Sequence, residues 1–399
     1  MFKDKIFKYY FWVVFSIAIP VIVYIVYPGV DGIPSTIKTA LILFVYILMR
    51  KKRLVAYNLS NKYFKLMLVV ILLGIIHSFL TNEMNRLNLA LLVLNTISWF
   101  LVVMVNMVSN VSSIGYFVRA FIYVMIPTAV FSGYYWYGFF AFDVPHILTQ
   151  LSLCLLISPF FSRKMQIVLI GALISGVIFD YSVRSCLLTA LVTISLYLCY
   201  KFVSDQLFEK IAKWARVSFF VAPVVFVILG VTGTFNIFAD FAEQDFSEIP
   251  LSNGRKSESH TFNVDSRTAV YYDVLLNTRD VKDVLIGHGA IINLDSLWIE
   301  TRHSVEAGML NMFYRYGLIG CFVIFLLLWY VTKLGMYHSN NRLTMMAALY
   351  LSYKFLLSFV DDANIDVSTY IAMGICLNSY IRSLSDNDLS VLLSKVKLI

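Results

Sequence analysis

Twelve stretches of roughly 15 or more apolar residues, each close to the length that crosses a bilayer as a helix, recur along this chain between short polar breaks. They run from Tyr10 to Tyr27, Ile33 to Met49, Leu66 to Leu80, Leu87 to Val108, Tyr116 to Tyr134, Ile147 to Phe161, Met165 to Phe179, Ser185 to Phe202, Val217 to Phe235, Glu306 to Thr332, Leu343 to Val360 and Val367 to Ile381. Only helices and closed barrels satisfy their own backbone in lipid, and runs of this length suit helices. The spacing therefore predicts an all-α polytopic membrane protein with about 12 transmembrane helices in a lipid bilayer. Composition agrees, since 59% of the residues are hydrophobic and 14% charged, against about 25% charged in soluble domains. A cytosolic enzyme and a disordered chain are both excluded. The net charge of +8 is explained by basic residues flanking apolar runs, so no nucleic-acid partner is expected.

Charge also orients the set. With the N-terminus inside, the inner segments hold twenty basic residues and the short outer ones three, Lys38, Arg86 and Arg184. That asymmetry predicts both termini on the cytoplasmic side. The basic start at Lys3, Lys5 and Lys8 precedes a run longer than a signal-peptide core, which reads as an uncleaved first span. Cys154, Cys186, Cys199, Cys321 and Cys376 all fall inside apolar runs and read as small core residues.

One connection differs from the rest. The 71 residues from Phe235 to Val305 carry 11 acidic and 6 basic residues, a net of −5. The expected organisation is residues 1–234 as nine spans, 235–305 as an external loop domain, and 306–399 as three spans with a cytoplasmic tail. A structureless loop of that length is unusual, so the segment should fold: Val270 to Leu276 and Asp280 to Leu285 read as helical, Ser252 to Ser259 as a mobile tip, and Gly287-His288-Gly289 as a turn. No phosphate loop, zinc-protease motif or Ser/His/Asp signature is present.

Several ionisable groups stand near the outer face. Arg184 opens the eighth span, either paired with Asp180 one turn earlier or presented as a fixed cation for phosphate, whose oxygens match the guanidinium fork. Arg267 and Arg302 lie in the acidic loop, where Asp265, Asp273 and Glu300 are alternative partners. His303 joins an outside position to direct attachment to a span, and an imidazole there can take a proton from a hydroxyl; Glu306, one helical turn further on, can orient it or serve as the base instead. Tyr271, Tyr272 and Trp298 offer faces for sugars or for loop packing. His77 sits in an apolar run and reads as a hydrogen-bonded core residue. Arg315 reads as shallow, before Gly317, and Lys354 as a partner of Asp361. A metal site from His288, Asp295 and His303 has irregular spacing, and none is expected.

The order of these motifs resembles the O-antigen polymerase and O-antigen ligase superfamily: R-S-C-L-L-T-A-L-V at Arg184, a long external loop with Ser266-Arg267, a G-x-G turn at Gly287, then R-H-S at Arg302 before Y-G-L-I-G. The likeness covers roughly Arg184 to Thr332. It implies a GT-C-like glycosyltransferase of the bacterial inner membrane, acting at the periplasmic face without a metal or cofactor in lipopolysaccharide biosynthesis. Its substrates would be undecaprenyl-diphosphate-linked oligosaccharides, as donor and acceptor, and a chain-length regulator protein is a further partner the resemblance admits. By motif position, Arg184 and Arg267, with Arg302, would bind the substrate diphosphate, and His303 or Glu306 would be the catalytic acid/base. Ligases in this superfamily keep ten residues between a histidine and the glycine of G-x-x-G. Here 13 residues separate His303 from Gly317, and Glu306 occupies that register. The departure favours polymerase over ligase. A twelve-helix polysaccharide or secondary transporter is the rival from another class, although no inverted repeat or matched pair of broken helices is visible.

Overall fold

The computed structural model describes residues 6–26, 33–56, 58–81, 84–135, 147–148, 150–179, 184–231, 273–295, 301–302, 305, 308–359, 367–394 and 396. Helix dominates them. In chain order the helices are α1 (Phe7–Val26), α2 (Ile33–Lys51), α3 (Lys62–Thr81), α4 (Arg86–Ile97), α5 (Met104–Met107), α6 (Val111–Tyr135), α7 (Ser152–Ile157), α8 (Arg163–Phe179), α9 (Arg184–Phe202), α10 (Asp205–Val231), α11 (Val281–Ile286), α12 (Gly308–Tyr337), α13 (Arg342–Leu357), α14 (Val367–Leu377), α15 (Ser379–Ser383) and α16 (Asp386–Ser394). Helix overlies part or all of each apolar run. Among the described residues, α3, α12 and the Val111–Phe131 part of α6 are long and apolar enough to cross a membrane.

The pattern of exposure follows from that chemistry. On α3, Leu66, Leu68, Val69, Leu72, Leu73, Ile76, Phe79 and Leu80 are exposed, whereas Phe64, Met67, Ile71, Gly74 and Ser78 are buried at helical spacing. An exposed apolar face of that extent is what a helix in contact with lipid presents. The bundle is centred on α13, which buries residues all around its circumference against α7, α10, α12 and α14. Two tyrosine hydroxyls on α13 are paired, as apolar surroundings favour: Tyr350 OH lies 2.5 Å from Ser368 Oγ, and Tyr353 OH lies 2.8 Å from Thr189 Oγ1, which ties α13 to α9.

The fourth apolar run departs from the single span its composition predicts. It divides into α4, a 3-10 segment over Ser98–Val103, and α5. The end of α5 leaves backbone carbonyls without a partner on their own helix, and asparagines from distant segments meet them. Asn58 Nδ2 donates to Val105 O at 2.9 Å, Asn378 Nδ2 donates to Val108 O at 3.0 Å, and Asn106 Oδ1 accepts the Leu59 amide at 3.0 Å. Asn341 likewise caps α13 through the Thr344 amide and donates to Ile381 O at 2.7 Å. At the same end of α13, the Arg342 guanidinium pairs with Asp205 and Asp386, whose carboxyl is pushed above its ordinary range by burial.

Arg216 on α10 is 2% exposed, and among the described residues no carboxylate pairs with it. Its charge is met by the Trp329 face, 4.1 Å from the ring centroid, by Trp329 O at 2.9 Å and by Thr332 Oγ1 at 3.0 Å, which fastens α10 to α12. Arg216→Ala is expected to cost about 2 to 4 kcal/mol, the scale of a desolvated cation–π contact plus a charge-assisted hydrogen bond. Arg216→Met should recover part of that loss through packing. Thermal melts of purified protein check the order, and an unchanged midpoint in the alanine variant would remove this role.

Candidate functional site

The described part of the long loop and the apolar helices meet at a junction that three glycines make possible. Helix α11 is short and stops at Gly287, whose φ of 74° is a left-handed C-terminal stop, its N–H reaching back 2.8 Å to Asp283 O. On the membrane side, Gly317 interrupts α12 with φ 61° and ψ −165°. That interruption takes the carbonyls just before it out of the regular ladder to the fourth residue on. The loop supplies replacement donors: His288 N–H reaches Tyr314 O at 2.8 Å, and Gly289 N–H, at φ 93°, reaches Arg315 O at 2.9 Å.

The third side of the junction is α3. The Ala290 N–H donates to Ser78 Oγ at 2.6 Å, and that hydroxyl donates to Gly74 O at 2.9 Å. Gly74 and Gly320 both face the Tyr316 ring, so α3 and α12 approach closely around a buried aromatic. Leu92 of α4 packs on Ala290 and Ile291. The G-H-G turn is thus held at once by α3, α4 and α12.

From this anchor the loop builds outward. Residues 273–277 are helical, and Asn277 clamps the strand that follows, donating to Asp295 O at 2.8 Å and accepting from the Asp295 amide at 3.1 Å. Strands β1 (Leu294–Asp295) and β2 (Thr301–Arg302) pair antiparallel, with Leu294 opposite Arg302 and Asp295 opposite Thr301. Val274, Ile292, Leu294 and Val305 form one apolar cluster with Tyr314 of α12, whose hydroxyl donates to Asn293 O at 2.9 Å. The described part of the loop therefore shares its core with α12. The backbone of Arg302 and of Val305 rests on the same scaffold as the G-H-G turn.

Of the residues singled out in the sequence, Arg184 is the first residue of α9, and Arg302 lies in β2. The side chains of both, and Arg267, Tyr271, Tyr272, Trp298, His303 and Glu306 altogether, lie outside the described residues. Asp361, the expected partner of Lys354, lies outside them too; Lys354 Nζ stands 5.8 Å from the Tyr350 ring centroid. Arg315 sits in the turn of α12 before the Gly317 break, 8% exposed.

His77 requires a correction. It is not a hydrogen-bonded core residue: both ring nitrogens are buried, with no hydrogen-bond partner among the described residues. It stands beside Ser78 at the junction, within electrostatic reach of Lys282, Asp283 and His288. His288 stacks on Tyr314 with ring centroids 4.5 Å apart and planes at 22°, and its Nε2 lies 3.9 Å from Asp283 Oδ2, too far for a hydrogen bond. The available signal was the G-x-G spacing, which marks a close backbone approach without saying to what. Compared with protein-family models, curated proteins and solved structures, the chain matches none.

Proposed function

We propose that this chain is a membrane glycosyltransferase of the O-antigen polymerase type, with about twelve spans, both termini cytoplasmic and its site on the periplasmic side of the bacterial inner membrane. The observation that carries the reading is the interlock of Gly287 with the broken helix at Gly317. It gives a physical reason for the order of the resembling motifs: the G-x-G turn and Y-G-L-I-G are two halves of one backbone contact, and R-H-S lies in the chain between them.

In this reading the donor is an undecaprenyl-diphosphate-linked oligosaccharide. The bond from sugar C1 to the phosphate oxygen breaks, and its electrons leave with the diphosphate. Arg184 and Arg267, with Arg302, take up that charge, as preorganised cations do for a developing anion, and their planar forks suit phosphate oxygens better than a lysine point charge. The acceptor sugar hydroxyl attacks C1 from the opposite face, inverting it, and passes its proton to His303 or Glu306. A sugar hydroxyl is too weak an acid to ionise first, so the base assists late, as an oxocarbenium-like centre is captured.

The test is the lipopolysaccharide ladder. A strain lacking this chain should carry a single repeat unit on its core, and complementation should restore the ladder. Arg184→Ala and Arg267→Ala should each fail to restore it at matched expression, with lysine giving partial rescue. Bare core with accumulated lipid-linked polymer would indicate a ligase instead, and an unchanged ladder would remove both readings.

A further inference from the structure

We propose that the end of the bundle where α1 begins and α2 ends binds the headgroup of an anionic phospholipid, with Arg53 as a binding residue. The proposal does not depend on the reaction assigned above. It starts from the backbone that closes α2, where the Leu54 N–H reaches Met49 O at 3.0 Å and the Arg53 N–H reaches Arg50 O at 3.0 Å. Paired bonds of this kind end a helix on a left-handed residue, usually glycine. Here that residue is Arg53, at φ 55°, and among the described residues no other residue except glycine has a positive φ.

Two general needs for positive charge at this place leave the arginine unexplained. The positive-inside rule asks for cations in the connection, and Arg50, Lys51 and Lys52 already meet it. The helix dipole favours cations in the last turn, where Arg50 and Lys51 stand, and its influence fades beyond that turn. Glycine at position 53 would satisfy both and relieve the strain of a Cβ in the left-handed region. What glycine lacks is the guanidinium, whose planar fork grips two phosphate oxygens at once.

The neighbouring groups complete an anion site. Lys8 of α1 and Lys52 after α2 each hold Nζ 5.4 Å from the centroid of the Tyr9 ring, so cations from two elements converge on one buried aromatic. Lys8, Arg50, Lys51, Lys52 and Arg53 are all exposed, and among the described residues no carboxylate pairs with any of them. From Lys8 to Lys65 the sequence holds eight basic residues and one acidic, Asp31, which lies in the connection between α1 and α2. Charge complementarity therefore points to an anion. Trp12, one helical turn from Lys8 and 51% exposed, gives its source: a tryptophan exposed on an apolar helix sits at the headgroup level of a bilayer, so the anion beside these cations is the phosphate of a membrane lipid.

Native mass spectrometry of the full-length protein released from detergent micelles tests this, with phosphatidylglycerol and phosphatidylcholine as the probes. The wild type should bind phosphatidylglycerol the more tightly. Arg53→Gly should weaken that binding about fivefold, and Lys52→Gln with Arg53→Gln about 25-fold, the scale of one and two basic residues at an anionic surface. Arg163→Gln with Lys164→Gln removes two exposed cations from the start of α8 and should leave it unchanged. Thermal melts in zwitterionic detergent separate binding from folding, because Arg53→Gly should melt no lower than the wild type once the strain is relieved. Full phosphatidylglycerol affinity in Arg53→Gly, an equal loss in the α8 variant, or a wild type that binds both lipids alike would overturn the site. A lower melting point in Arg53→Gly would do the same, by making its loss one of folding.

Discussion

Gly317→Ala should undock the long loop from α12 and, on the proposed function, abolish polymer formation, the largest effect expected of any single methyl group in this protein. At φ 61° and ψ −165° the backbone is in a region that is essentially glycine-only, and an L-residue there pays about 1 to 3 kcal/mol in strain. Strain is the smaller part. A Cβ on Gly317 would stand 2.5 Å from Ile286 N and press on the Leu285 carbonyl, while one on Gly287 would stand 2.5 Å from Arg315 O and 2.6 Å from Tyr316 N. Both obstacles are backbone, so no rotamer change relieves them, and the two backbones can only separate. Separation forfeits the amide bonds from His288 and Gly289 and the support of the segment leading to His303. Gly171→Ala is the matched control, since nothing lies within 4 Å of its added Cβ and alanine improves a helix by about 1 kcal/mol. Limited proteolysis of the loop, with the sugar ladder alongside, decides the matter: a Gly317→Ala protein as resistant and as active as the Gly171→Ala protein would show that the interlock is dispensable.

These glycines show how far the sequence speaks. The turn at Gly287 and the position of Arg315 before Gly317 are both readable, because glycine in a polar–apolar boundary marks backbone that helices cannot supply. Their mutual contact is not readable, since 29 residues lie between them and neither carries a side chain whose chemistry names a partner. The same holds for the fourth apolar run. Hydropathy registers its length, but the carbonyls at the end of α5 are met by Asn58 and Asn378, which lie far away in the chain. The setting of His77 is hidden from the sequence for a related reason. An isolated histidine in an apolar run has no periodic signature, so only the arrival of Lys282 and His288 from the loop gives it an electrostatic context. Helices, being local, are legible, whereas the site is assembled from contacts that are not.

The choice of base follows from the same scaffold. Arg302 pairs in register with Leu294, and Val305 is buried in the cluster with Tyr314, so the two residues flanking His303-Ser304 are anchored. Glu306 follows that anchor on the way into α12. If His303 accepts the proton, His303→Ala should lower turnover by about 10² to 10⁴-fold, the range for removing a general base. On the proposed function, binding of the lipid-linked donor should persist, because Arg184, Arg267 and Arg302 would still hold its diphosphate. Glu306→Gln should then be milder, since it removes a charge that orients the imidazole and leaves the imidazole in place. The measurement is single-turnover transfer by purified protein with a defined lipid-linked repeat unit, alongside donor binding. The opposite order of severity transfers the role to Glu306. Near-normal turnover in both variants would mean that neither takes the proton, and the late, oxocarbenium-like character of the reaction would then have to carry it unaided.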